Sequence, residues 1–162
     1  MPEQLHEDLG VSLKAVIIRA IDEAARRGAT KVEAEHLLLS IAASGDVAAG
    51  ILADAGLDYA GVEGALRGER EHALRSAGVE PVAEERLRAT GNSRPAWGAS
   101  IREALKRGNF TARRDRSRAE RERLAIADSL IGVLRADLGT VPRALAYAGV
   151  DRAALITRLE QL

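Results

Sequence analysis

Apolar residues recur along the first part of the chain at the spacing of an α-helix. Leu13, Val16, Ile17, Ala20, Ile21 and Ala24 fall at i, i+3, i+4, i+7, i+8 and i+11, one face of a 3.6-residue period. Ser12 stands where an N-cap is expected and Gly28 where a helix stops. Leu37, Leu38 and Ile41 predict a second helix ending near Ser44-Gly45. A third, short helix is expected from about Val47 to Ala55, closed by Gly56, and Asp58 can cap a fourth that continues through Val62 and Leu66.

The pattern then returns. Glu35-His36-Leu37-Leu38-Leu39-Ser40-Ile41 aligns with Asp128-Ser129-Leu130-Ile131-Gly132-Val133-Leu134 at an offset of 93 residues (128 − 35). The same offset carries Leu52-Ala53-Asp54-Ala55-Gly56-Leu57-Asp58 onto Leu145-Ala146-Tyr147-Ala148-Gly149-Val150-Asp151, and Leu66 onto Leu159. Upstream, Glu23-Ala24-Ala25-Arg26-Arg27-Gly28 resembles Glu103-Ala104-Leu105-Lys106-Arg107-Gly108 at an offset of 80 (103 − 23). The difference of 13 (93 − 80) marks an insertion in the second copy between its first and second helices.

Helices of the second copy are expected to start near Pro95, Ala125, Thr140 and Asp151, with Trp97 in the first of them and in the core. Pro142 suits a first turn, where its missing N–H would have no helical partner. Repeat one thus spans 5–67, a connector 68–92, and repeat two 93–162, with an Arg-rich insertion near 109–123. Gly78, Pro81 and Gly91 punctuate the connector, and Glu84 to Arg88 can add a helical turn. The expected fold is all-α: two pseudo-symmetric four-helix repeats packed face to face into one domain.

Composition agrees with that class. The chain has 162 residues, 46% of them hydrophobic but only 2% aromatic, and about a fifth are alanine, the best helix former. The absence of cysteine excludes disulfides, thiolate metal sites and cysteine nucleophiles. No apolar run reaches bilayer-spanning length, and MPEQLHEDLG lacks the charged start and apolar core of a signal peptide, so a cytoplasmic protein without membrane contact is expected. Lys+Arg and Asp+Glu balance at 24 each, which gives no overall field toward nucleic acid or membrane.

Glu35-His36-Leu37-Leu38-Leu39, Gly45-Asp46-Val47-Ala48-Ala49, Leu52 and Gly56, within a duplicated four-helix unit, resemble the N-terminal domain of the Clp/Hsp100 chaperones, especially the ClpC type. The resemblance runs from about Leu5 to Leu162 and is met equally by a stand-alone copy and by a piece of a longer ATPase. It implies a non-catalytic protein-binding module of Clp-dependent proteolysis, acting as a decoy, scavenger or adaptor and needing no cofactor. The implied partners are Clp substrates, adaptor proteins or Clp ATPase and peptidase components. None of Lys14, Lys31 and Lys106 follows a glycine, so no phosphate-cradling Gly-Lys-Ser/Thr loop is present.

Glu35 and Asp128 open the leucine-rich runs of the two copies. Either is explained by the favourable field of a helix N-terminus. The resemblance adds a role, because the matching acids in ClpC-type domains contact the guanidinium of phosphorylated arginine, and a carboxylate accepts two guanidinium N–H bonds at once. Both are therefore expected in equivalent, solvent-accessible pockets. Ala34 and Ala127 stand where the family usually has threonine, and Leu9 and Ala89 where it often has the phenylalanine of a hydrophobic groove.

His6, His36 and His72 are scattered, so no metal site is expected, and His36 is better explained as a packed or capping residue. Arg113, Arg114, Arg116 and Arg118 form a candidate electrostatic docking patch, with Arg121 and Arg123 beyond. A nucleic-acid-binding accessory protein using that loop is the alternative reading, although only Phe110 offers an aromatic platform and Asp115, Glu120 and Glu122 offset the charge. No Gly-x-Ser-x-Gly elbow or triad pattern supports hydrolysis, and an enzyme is not expected.

Overall fold

The computed structural model describes residues 12–82 and 94–162. Eight α-helices appear among them: α1 (Leu13–Arg26), α2 (Ala34–Ala42), α3 (Val47–Asp54), α4 (Tyr59–Ser76), α5 (Ala99–Lys106), α6 (Arg118–Leu134), α7 (Thr140–Tyr147) and α8 (Arg152–Glu160). A 3₁₀ turn, Asn109–Arg113, lies between α5 and α6. Two short strands, β1 (Lys31–Val32) and β2 (Ala96–Trp97), pair in parallel with Lys31 opposite Ala96.

The caps read from sequence at Ser12 and Asp58 are in place, and Asp151, expected only near a helix start, caps α8 in the same way. Ser12 Oγ accepts the Ala15 amide at 3.1 Å, Asp58 Oδ1 that of Gly61 at 2.8 Å, and Asp151 Oδ1 that of Ala154 at 3.1 Å. Each satisfies an amide that the first helical turn leaves without a partner. Gly28, Gly56 and Gly149 take φ of 68°, 77° and 72°, left-handed conformations that end their helices.

The 93-residue offset reappears as geometry. Helices α3 and α7 begin at 47 and 140, and α4 and α8 at 59 and 152. Helix α3 of the first copy packs on α8 of the second, and α4 of the first on α7 of the second. These are the same contact seen twice, as a two-fold relation between the halves requires. The leucine-rich helices α2 and α6 meet at the centre. Leu37, Leu38 and Ile41 are at most 1% exposed, and so are their counterparts Leu130, Ile131 and Leu134. Each such side chain contributes about 1.5–3 kcal/mol through burial. Gly132 lets α6 approach α5, because a Cβ there would lie 1.9 Å from the Ala104 carbonyl oxygen.

Four local expectations are corrected. Helix α4 continues to Ser76, so the connector assigned from Gly68 is helical over its first part. Helix α6 starts at Arg118 rather than near Ala125, because Ser117 and Glu120 form a reciprocal capping box inside the insertion. Helix α5 starts at Ala99, not near Pro95. Trp97 therefore lies on β2 and is 38% exposed, outside the core. His6, Leu9, Glu84 to Arg88, Ala89 and Gly91 lie outside the described residues.

Candidate functional site

The start of α2 is held from three sides. The backbone N–H of Glu33 donates to Nδ1 of His36 at 2.9 Å, so the imidazole caps the helix from its third position. The Ala34 amide donates to Ser100 Oγ at 2.8 Å, and the Glu33 carboxylate accepts the Ser100 amide at 3.1 Å and its hydroxyl. A Cβ on Gly98 would lie 2.1 Å from that carboxylate, so any larger residue there would push the Glu33 side chain off Ser100. The Gly98 amide also donates to the Val32 carbonyl at 2.9 Å. His36 is 5% exposed, and its pKa drops from 6.5 to about 4, chiefly through burial and secondarily through the nearby Arg27 cation.

Glu35 follows directly on this clamp. It is partly buried and faces a cleft of about 620 Å³ between the first-copy helices and α7. Glu33, Glu35, Glu63 and Glu69 line it together with Arg67, Arg70 and Arg143. A second cleft of about 500 Å³, toward Gly139 and Thr140, shares Glu33 and Glu35, so Glu35 stands on the wall between the two. Burial pushes its carboxyl pKa up, the Glu33 charge adds to the rise, and Arg143 opposes it. Among the described residues no cation lies within ion-pairing distance of Glu35. Arg143 is tied to Glu69 at 3.1 Å across the two copies. The Nε of Arg70, buried at the cleft lining, has no hydrogen-bond partner among the described residues.

Asp128 aligns with Glu35 in the second copy, but it lies in the interior of α6 and not, as expected, at a helix start, and its surroundings differ. It is 1% exposed, which corrects the expectation of two equivalent open pockets. Arg113 Nε donates to Asp128 Oδ1 at 3.2 Å and Arg113 Nη2 donates to the Leu159 carbonyl at 3.1 Å, with Asn109 close enough to favour the charged carboxylate. Burial raises the Asp128 pKa, and Arg113 and Asn109 work against that rise.

The docking patch changes accordingly. Arg113 is buried and turned inward, so it is removed from the exposed set. Arg116 pairs with Glu120 at 3.7 Å and Arg118 with Glu122 at 2.9 Å along α6, while Arg114 is exposed. The neutralised helix start favours a solvated, self-compensated face over a phosphate-binding stripe.

Behind the cleft lies a charged cluster that sequence reasoning missed. Glu23, 3% exposed, accepts the hydroxyl of Tyr59 and is bonded by Arg26 at 2.6 Å and Arg27 at 2.9 Å. Arg27 also donates to Tyr59 at 3.2 Å and to Glu63 at 3.0 Å. Burial works against the Glu23 charge, but these bonds hold its pKa below the ordinary carboxylate value. The only sequence trace was the Glu23-to-Arg27 spacing, one helical turn. No described group of histidine and carboxylate side chains could hold a metal ion. No single described helix is long and apolar enough to cross a membrane.

A duplicated helical unit whose two copies embrace through equivalent faces, with a charged cleft at one leucine-rich helix start, defines a double-repeat interaction domain. The Clp repeat (R) N-terminal domain family matches residues 9–145, and the chain belongs to that family. The family supplies a non-catalytic, protein-interacting N-terminal domain of Clp chaperones. No curated protein matches the chain significantly.

Proposed function

We propose that the chain is a peptide-recognition module of Clp-dependent proteolysis that takes an arginine side chain of its partner at Glu35. The observation that carries this is the contrast between the two copies. Glu35 is a desolvated carboxylate facing open volume with no ion-pair partner among the described residues and only the Arg143 charge nearby to offset its burial, while its counterpart is already paired with Arg113. A guanidinium entering the cleft would supply the missing charge and two parallel N–H donors. Arg67 and Arg70, on the same cleft, would face a negative group carried beside that arginine, whether a phosphate on it or an acidic neighbour. A module of this kind serves as substrate receptor, adaptor or decoy. The alternative nucleic-acid reading loses support because Arg113 is buried and Arg116 and Arg118 are paired.

Calorimetric titration of arginine, phosphoarginine and an arginine-bearing peptide into wild type and Glu35→Ala tests the reading. Removing one partner of a charge-assisted hydrogen bond costs about 1.5–3 kcal/mol, so affinity should drop roughly tenfold to a hundredfold. Equal binding by both proteins would sink it.

A further inference from the structure

The two-fold relation gives the chain two matching acids, and the insertion treats them differently. The first copy passes from α1 to α2 through a short crossing that contains β1. The second copy places a 3₁₀ turn at that point, and its last residue, Arg113, reaches back into the helices. Its side chain is 6% exposed and that of Asp128 is 1% exposed. The guanidinium is bonded on two sides, to the Asp128 carboxylate through Nε and to the Leu159 carbonyl through Nη2. Asn109, from the same turn, lies close enough to favour the charged carboxylate and is itself held by Arg135 at 3.3 Å. This is how a protein receives an arginine from a partner, except that the arginine belongs to the same chain.

We propose that the pocket at Asp128 is a guanidinium-binding site kept filled by the chain's own Arg113, so the module offers one free arginine site instead of two. The count of one rests on the Glu35 reading above; the chemistry of the Asp128 pocket does not. The insertion is then an internal ligand. It occupies the second site at an effective concentration that a dissolved peptide cannot match, because only 15 residues separate Arg113 from Asp128.

Truncating Arg113 to alanine vacates the pocket and leaves a buried carboxylate unpartnered, so R113A should melt several degrees below wild type. N-methylguanidinium at low-millimolar concentration should restore part of that loss in R113A, and should raise its melting temperature by more than it raises that of wild type or R113A/D128N, which offer the Glu35 site alone. A shift in R113A/D128N as large as that in R113A, or a shift in a folded R113A no larger than that of wild type, overturns the proposal. If R113A does not fold, the full wild-type chain carries the test by nitrogen-15 NMR of arginine Nε–H groups. The Arg113 signal, assigned by its loss in R113K, must then be protected from solvent exchange, and exchange as fast as that of exposed arginines overturns the plug. Calorimetry with an arginine-bearing peptide should give one site in wild type and two in R113A. Rescue of R113A with no peptide binding by wild type keeps the filled pocket and sinks the Glu35 reading. One-site binding by wild type with no rescue does the reverse.

Discussion

Replacing His36 by glutamine separates two roles that the imidazole combines. Its Nδ1 accepts the Glu33 amide, which requires that nitrogen to be unprotonated, and glutamine can accept the same bond from the same helix position. Glutamine does not titrate. Folding lowers the His36 pKa from 6.5 to about 4, so the fold favours the neutral form by about 3 kcal/mol. Because the folded value is the lower one, this stability is complete above pH 6.5 and is lost as pH falls through about 4. Between about pH 7.5 and about pH 5 the loss should be about 2 kcal/mol. Glu23, with its lowered pKa, loses stability toward acid as well, while the raised pKa values of Glu35 and Asp128 work in the opposite direction. All three remain in H36Q, so the difference between wild type and H36Q isolates the imidazole. Urea unfolding followed by circular dichroism at several pH values measures it. A wild-type advantage that stays constant across the range would refute the reasoning, as would an NMR titration placing the folded His36 near 6.5.

Two further outcomes follow from packing and from the buried charges. Gly132→Ala places a methyl group against the Ala104 carbonyl and 2.8 Å from the Gly108 nitrogen, both backbone atoms, so α5 and α6 must separate. Overpacking of this kind costs typically 1–3 kcal/mol, measurable as a lower urea midpoint with an unchanged slope. Tyr59→Phe removes a hydroxyl that donates to Glu23 and accepts from Arg27, and should cost about 1–3 kcal/mol by the same assay.

Much of the fold was legible because its signals are local. Ser12, Asp58 and Asp151 cap helices through residues three places on, and the glycine stops act on the turn that precedes them. The repeat was legible because two copies of one unit must bury the same positions. The misses at Trp97 and Asp128 share a cause, which is contact between residues distant in sequence. Strands of two residues carry no periodicity, so nothing marked Trp97 as the partner of Val32. Glu35 and Asp128 align in sequence, but Glu35 lies in the first turn of α2 and Asp128 in the interior of α6, because the insertion without counterpart extends α6 back to Arg118 and packs Arg113 over the carboxylate. One miss was avoidable: Ser117-Arg118-Ala119-Glu120 has the spacing of a capping box and marks the true start of α6.

The clamp on α2 also bears on how the chain is made. Its hydroxyl and one of its two short strands come from Ser100, Ala96 and Trp97, which leave a ribosome long after Glu33 and Ala34. During synthesis the first repeat therefore exists for a time with its leucine-rich helix present but the mouth of its cleft unfinished. The face of α4 that meets α7 is uncovered over the same interval. Completion of the clamp and of the α4 face waits on the second repeat, so neither copy is a spare.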